Sequence, residues 1–208
     1  DYTLDLVRHL ADTIRGGRVH MPLGDQHVYH IAGLLSRHFI CAHHGIAALH
    51  PGASCPSKQW PLEQFFILAQ KLIEKYKMRV ILIGDQSVQK SLEKKPFSHP
   101  SIHSYAGRFS LGQTLALIAR SDILISNDSG PVHMAASVRT PCISLFGRNN
   151  PGISPRRWGP TGKNDIAIHK DIGCEVCLAH KCEKDFQCLK AITVEEVLAK
   201  AGKILDEK

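Results

Sequence analysis

The feature that most constrains the fold is a regular alternation of strand-like runs with amphipathic segments, which begins near residue 45 and continues to residue 205. The strand-like runs lie at residues 45–50, 80–84, 101–105, 122–126, 141–147 and 165–170. The helical patterns cover residues 62–76, 86–95, 110–120, 132–137 and 194–205. Because strands that alternate with helices through short connections pair in parallel, the sequence predicts an α/β fold with one parallel sheet covered by helices on both faces.

Size and composition describe an ordinary globular protein. The 208 residues, 43% of them hydrophobic and 22% charged, are enough for one well-formed core. The net charge of +7 favours anionic partners, such as nucleotides or an acidic lipid surface. Nucleic acid is not expected, because the basic residues are scattered and aromatic residues make up only 6% of the chain. Seven cysteines, an odd number, fit the reducing cytoplasm better than a secreted disulfide scaffold.

Residues 1–40 differ from the rest because they contain helical patterns, at 2–14 and 27–39, without strands. We interpret them as a linker or the remnant of a preceding domain, and residues 41–208 as one domain. Cys41, His43 and His44 follow directly, and their side chains suit either a metal or an exposed polar turn, of which the turn is the commoner case.

The stretch NDSGPVHMAA at residues 127–136 places an acid, a hydroxyl and a glycine between a buried strand and a helix. A helix N-terminus offers unpaired N–H groups and a partial positive charge, so this turn suits an anion such as phosphate. A phosphate would repel the Asp128 carboxylate, which is therefore expected to bond hydroxyl groups beside it. The alternative is that Asp128 or Ser129 simply caps the helix.

A second candidate is the small-residue turn PGASCPSKQWP at residues 51–61, which also joins a strand to a helix. Its backbone and the Ser54 hydroxyl offer donors, and Lys58 offers a compact positive charge for a diphosphate. The alternative is a turn with a solvated lysine. Parallel strands end at the same edge of a sheet, so the two turns are expected to face one ligand.

Three motifs in order resemble those of glycosyltransferase family 9, the family of the lipopolysaccharide core heptosyltransferases: HPGAS followed by KQWP at residues 50–61, NDSGPVHMAA at 127–136 and LFG at 145–147. The resemblance covers residues 45–205. It implies a two-domain GT-B fold whose Rossmann-like C-terminal half holds the nucleotide-sugar donor. It also implies transfer with inversion, with no cofactor required for catalysis.

The resemblance also implies roles for residues that match the family motifs. Ser54 and Lys58 would contact the donor diphosphate, and Ser129 and Gly130 would bind phosphate through the helix N-terminus.

The donor sugar and nucleoside would have their own contacts. Asp128 would hold the sugar, and His133 would support the site. In the family an acidic residue after the second strand contacts the nucleoside, and Asp85 is a shifted equivalent. The segment at residues 148–160 departs from the family pattern, because it is longer and more basic. Its arginines fit either an anionic ligand or a solvated loop.

The function implied is the donor-binding half of an inverting enzyme that transfers heptose, or a related sugar, from a nucleoside-diphosphate sugar to a lipopolysaccharide core. ADP-heptose is the first donor to expect. The catalytic base is expected in an N-terminal acceptor domain outside this chain. Without that domain, this chain is expected to be inactive. The expected location is cytoplasmic, peripheral on an anionic inner membrane. The alternatives are a non-catalytic nucleotide- or zinc-binding interaction module and a sugar-nucleotide epimerase, and the KQWP segment argues against the epimerase.

Four cysteines near the C-terminus, Cys174, Cys177, Cys182 and Cys188, begin with a C-x-x-C pair and suit a structural zinc site. The short gap between the second and third is tight for two separate metal-binding turns. Free thiols or disulfides are the alternatives.

Overall fold

A computed structural model describes residues 20–95, 97–175, 177 and 180–207, with only the backbone of residue 151. The helix predicted for residues 2–14 lies outside these residues. Six strands are present in the described part of the chain: β1 (Ile46–His50), β2 (Arg79–Leu82), β3 (Ile102–Ser104), β4 (Ile123–Asn127), β5 (Cys142–Phe146) and β6 (Ile166–His169).

Helices connect the strands and follow the last of them. The α-helices are α1 (Asp25–Arg37), α2 (Leu62–Tyr76), α3 (Gln86–Lys94), α4 (Leu111–Arg120), α5 (Gly130–Val138), α6 (Pro155–Trp158), α7 (Gln187–Lys190) and α8 (Val194–Asp206), with 3-10 helices at Pro56–Lys58 and Pro151–Ile153. None of the described helices is long and apolar enough to cross a bilayer.

All strand pairs are parallel, in the order β3-β2-β1-β4-β5-β6. The predicted α/β fold with a Rossmann-like parallel sheet is therefore confirmed. The connection from β1 runs towards β2, whereas β4 lies on the other side of β1. In sheets of this kind the crevice at such a reversal, beyond the carboxyl ends of the strands, is where ligands bind.

Two apolar layers hold the sheet, because successive residues of each strand point to opposite faces. Ala47 and Leu49 of β1 pack in a cluster with α2 and α8, whereas Ile46 and Ala48 pack in a second cluster with α1, α4 and α5. Buried residues of α1 belong to this second cluster, although α1 lies within the predicted linker. The domain boundary near residue 40 stays a prediction.

Two local differences from the predicted elements affect the site. Helix α5 begins at Gly130 rather than at Val132, so its N-terminus lies directly after the predicted phosphate-binding residues. The 3-10 helix Pro56–Lys58 and the four-residue α7 were not predicted, because segments this short contain no repeat of the helical period.

Candidate functional site

The side chain of Asn127, the last residue of β4, joins the two predicted loops. Its Nδ2 donates to the carbonyl of Pro51 at 2.7 Å, and its Oδ1 accepts from the backbone N–H of Trp60 at 3.0 Å. Asn127 is fully buried, so these bonds replace contacts with water. The loop after β1 is thereby fixed at both ends against β4.

Trp60 anchors the far end of that loop. The side chain is 1% exposed, its Nε1 donates to the carbonyl of Ile192 at 2.9 Å, and its ring packs edge-on against Phe65. An amphipathic ring with its N–H satisfied is a rigid support, because both its apolar surface and its donor have partners. The end of the loop next to Lys58 is therefore held rigidly.

Lys58, Asp128 and Arg148 form a group that we call the Asp128 cluster. Lys58 Nζ lies 3.0 Å from Asp128 Oδ2, and a nitrogen of Arg148 lies 3.4 Å from the same oxygen. The three side chains are 17%, 6% and 11% exposed, so water screens them weakly. With two cations to one carboxylate, the cluster has one positive charge in excess and favours an added anion.

The N-terminus of α5 lies beside this cluster and has no cap among the described side chains. The Ser129 hydroxyl turns away from the helix, within 3.1 Å of His50 Nδ1 and 3.2 Å of the Ser126 hydroxyl. Asp128 is engaged by Lys58 and Arg148. The capping alternative thus describes neither residue, and the first turn of α5 has no side-chain cap in the described part of the chain.

His50, at the end of β1, is a site residue that the sequence did not identify. Burial lowers the pKa of its imidazole to about 4, an effect that the nearby Asp85 carboxylate partly offsets. The ring is therefore neutral at pH 7 and orients the hydroxyls of Ser126 and Ser129 rather than attracting phosphate by charge. The available signal was its position, since a parallel neighbour places the end of β1 beside the end of β4.

Three other predicted donor residues, Ser54, Gly130 and His133, make no hydrogen bond to the cluster in the described structure. Ser54 is exposed in a bend of the loop after β1. Gly130 is exposed, and an added Cβ would meet no atom within 4 Å, so the space in front of α5 is open. His133 is exposed on α5, and its ring lies edge-on to Trp158 at 6.1 Å between centroids.

Asp85 caps helix α3. One carboxylate oxygen accepts from the Ser87 hydroxyl at 2.6 Å and from the backbone N–H groups of Ser87 and Val88. These bonds, that of the Ser87 hydroxyl foremost, hold the pKa of Asp85 below its ordinary value. A capping role thus accounts for one oxygen, and the contact with a nucleoside stays a prediction.

A cavity of about 360 Å³ adjoins the Asp128 cluster at the ends of β5 and β6. Ser57, Gly147 and Arg148 are among its lining residues. The four cysteines predicted to bind zinc, Cys174, Cys177, Cys182 and Cys188, also line it, and all are free thiols. Within the described residues, the one group of three or more potential ligand atoms within 4.8 Å of one another is instead Cys41, His43 and His44.

Comparisons with known proteins agree with this architecture. The family model described as glycosyltransferase family 9 (heptosyltransferase) matches residues 26–187. The chain is 30% identical over 164 residues to lipooligosaccharide heptosyltransferase 2 of Haemophilus influenzae, an alignment that covers 74% of this chain and 46% of that protein. The chain spans about half the length of the curated relatives it matches.

Two solved structures are similar in fold. The glycosyl transferase family 9 protein of Veillonella parvula has a TM-score of 0.78 at 23% identity, covering 99% of this chain and 59% of that one. The ADP-heptose lipopolysaccharide heptosyltransferase II of Escherichia coli has a TM-score of 0.73 at 23% identity, covering 90% of this chain and 54% of that one.

Proposed function

Since the chain belongs to glycosyltransferase family 9, the heptosyltransferase family, we propose that residues 41–208 are the donor-binding half of an inverting glycosyltransferase. Its donor is a nucleoside-diphosphate sugar, with ADP-heptose as the first candidate, and its acceptor is a lipopolysaccharide core.

The observation that carries this proposal is the meeting of Lys58, Asp128 and Arg148 beside the N-terminus of α5. The two cations and the free N–H groups of the helix are suited to a diphosphate. Asp128 is suited to the hydroxyl groups of the attached sugar, since a carboxylate only accepts hydrogen bonds. One sugar-linked diphosphate would satisfy the whole group, whereas a simple phosphate would leave Asp128 facing a like charge.

The proposed chemistry is one displacement at the anomeric carbon of the sugar. An acceptor hydroxyl forms the new bond from the face opposite the diphosphate, the bond to the diphosphate oxygen breaks, and the configuration inverts. Lys58, Arg148 and the α5 N-terminus stabilise the charge that develops on the departing diphosphate. The proton of the acceptor hydroxyl passes to a base that we place in the N-terminal domain.

The proposal that the acceptor is a lipopolysaccharide core rests on membership of the heptosyltransferase family. The alignments cover only about half of the curated relatives, and we assign the part of those relatives that is not covered to the acceptor domain. An acceptor on a membrane surface agrees with the net charge of +7, since anionic lipids attract basic proteins.

Isothermal titration calorimetry with ADP-heptose, ADP and UDP-glucose tests the donor assignment. We expect ADP-heptose to bind, and Lys58→Gln to weaken binding about tenfold or more through loss of a partly buried phosphate contact. The matched control is Lys71→Gln, which removes another ion-paired lysine, 3.7 Å from Glu195 on α8, and should leave affinity unchanged. A folded wild-type sample that binds none of these ligands would refute the donor site.

A further inference from the structure

We propose that Cys174, Cys177, Cys182 and Cys188 form a tetrathiolate site for one Zn²⁺ or Fe²⁺, which fixes the wall of the cavity beside the Asp128 cluster. Cys174, Cys177 and Cys182 come from the connection between β6 and α7, and Cys188 lies in α7 itself, yet all four thiols line one cavity. The other three cysteines are absent from the described lining, since Cys41 is exposed elsewhere and Cys55 and Cys142 are buried.

One turn of the backbone near the thiols contacts a sulfur atom directly. Phe186 N–H donates to Cys182 Sγ at 3.2 Å, a contact that stabilises a thiolate ligand. Asp185 and Phe186 both have positive φ, of 47° and 54°. Residues other than glycine adopt this backbone conformation at a cost in conformational energy. A bound ion held by Cys182 would account for keeping this turn.

The charges around the cavity suit a metal–thiolate centre. One divalent ion with four thiolates carries two net negative charges. Four cationic side chains line the cavity, against two carboxylates: Arg148, Lys170, Lys181 and Lys184 against Glu175 and Glu183. Soft thiolate ligands select zinc or iron over magnesium or calcium, which prefer oxygen.

Metal binding would require the thiols to move together. Sulfur ligands lie about 2.3 Å from zinc, which places them about 4 Å apart, and no three of the described cysteine sulfurs are gathered this closely. The cavity of about 360 Å³ provides space for this movement. Each ligand would lose its proton on binding.

The movement reaches the donor site through one contact. Cys188 Sγ donates to the carbonyl of Gly147 at 2.8 Å, and Gly147 precedes Arg148 of the Asp128 cluster. A metal-bound thiolate has no proton to donate, so loading the site breaks this bond and frees the Gly147 carbonyl. The metal site therefore lies one residue from a proposed phosphate ligand, although its existence does not depend on the proposed function.

Elemental analysis of protein purified under anaerobic conditions tests the site. We expect about one zinc or iron per chain, and charge-transfer and tetrahedral bands when Co²⁺ is added to the metal-free wild type. Cys174→Ser should lower Co²⁺ affinity about tenfold or more, whereas Cys41→Ser should not change it. Because Cys41 belongs to the only other ligand group among the described residues, this control separates the two locations.

Three outcomes would overturn the proposal. The first is a wild type without these cobalt bands, which does not depend on any variant folding. The second is loss of Co²⁺ binding in Cys41→Ser but not in Cys174→Ser. The third is a thiol count of three, out of seven cysteines, in protein denatured without reductant, since this would mean two disulfides. Donor titrations on the same samples are read separately, so failure here leaves the donor assignment intact.

Discussion

At the scale of single residues, the unusual choice is a carboxylate at the centre of a proposed phosphate site. Asp128 is 5% exposed and shares one oxygen between Lys58 and Arg148. The cost of burying these three charges is reduced because the carboxylate neutralises one of the two cations. In the proposed complex, the diphosphate would neutralise the other. The same carboxylate keeps both cations in position while the site is empty and then becomes available to sugar hydroxyls.

Asp128→Asn separates these roles. We expect ADP to bind as tightly as in the wild type or a few-fold more tightly, because a charge that repels phosphate is gone. The advantage of ADP-heptose over ADP should largely disappear, because the amide is a weaker partner for hydroxyls than the carboxylate. Calorimetry with both ligands gives the two affinities. An equal loss for ADP and ADP-heptose would show that Asp128 only organises the cluster.

His50 makes stability depend on pH. Its pKa is about 4 in the folded protein and about 6.5 when unfolded. Between these values only the unfolded chain binds the proton, so stability is complete above about pH 6.5 and declines as the pH falls towards 4. The loss due to His50 is at most about 3 kcal/mol.

Urea denaturation of the wild type and His50→Asn at several pH values measures this effect. The Asn amide can occupy the place of Nδ1 but does not titrate. We expect a shallower decline for the variant between pH 6.5 and 4. Other histidines with lowered pKa values, such as His103, contribute equally to both proteins, so parallel curves would refute the role of His50.

At this scale the sequence named several residues of the candidate site, and their contacts with a donor stay a prediction. Lys58, Ser129 and Gly130 were identified because their residue types suit phosphate near a strand–helix turn. Arg148 was identified only as one of several arginines, because sequence does not show which side chain of a basic loop folds inward. His50 was missed because its role depends on the pairing of β1 with β4, a contact across 76 positions.

At the scale of elements, the site depends on how firmly β4 holds the loop after β1. Asn127→Ala would leave the Trp60 N–H and the Pro51 carbonyl buried without partners, at a cost of about 2–4 kcal/mol in unfolding free energy. Urea denaturation measures this loss. Asn164→Ala, in an exposed turn, is the control and should change stability by less than about 0.5 kcal/mol. Similar losses of unfolding free energy in both variants would contradict the role of Asn127 in holding the loop against β4.

Helix α4 offers an independent test of an element predicted from sequence. The Ser110 hydroxyl accepts from the Gln113 N–H, while the Gln113 side chain accepts from the Ser110 N–H, which is a complete capping box. Ser110→Ala should lower the unfolding free energy by about 1 kcal/mol. Donor affinity, measured by calorimetry, should stay unchanged, and weakened binding would show that α4 contributes to the site.

The helices with a clear repeat of apolar residues were predicted closely, and the short helices without such a repeat were not predicted. Helix α2 has the predicted bounds, since its apolar stripe continues through four turns. The 3-10 helix that carries Lys58 escaped detection, because one turn bounded by proline has no stripe. The position of Lys58 follows from the burial of Ser57 before it and of Trp60 after it, which is information from the tertiary structure.

At the scale of the whole molecule, the net charge of +7 favours attachment to an anionic membrane surface. We expect it to bind vesicles that contain phosphatidylglycerol and not vesicles of phosphatidylcholine alone. Binding should weaken about tenfold when the salt concentration rises from about 0.05 to 0.3 M, because salt screens attraction between exposed charges. Vesicle sedimentation measures both. Binding that is insensitive to salt and lipid charge would exclude this electrostatic attachment.

The architecture was the most predictable property at this scale, because alternation of strands and helices leaves few topologies. The order of the strands, which places β4 on the side of β1 opposite β2, required the structure.

The Asn127 amide links β4 to a loop 76 positions earlier in the chain. The proposed donor crevice therefore cannot form in a partly folded intermediate in which β1 and β4 are not yet paired. If the chain binds the proposed nucleotide donor, we expect binding to appear only after these two strands have paired. A bound donor should consequently slow hydrogen exchange at the central strands of the sheet as well as at the loops that touch it.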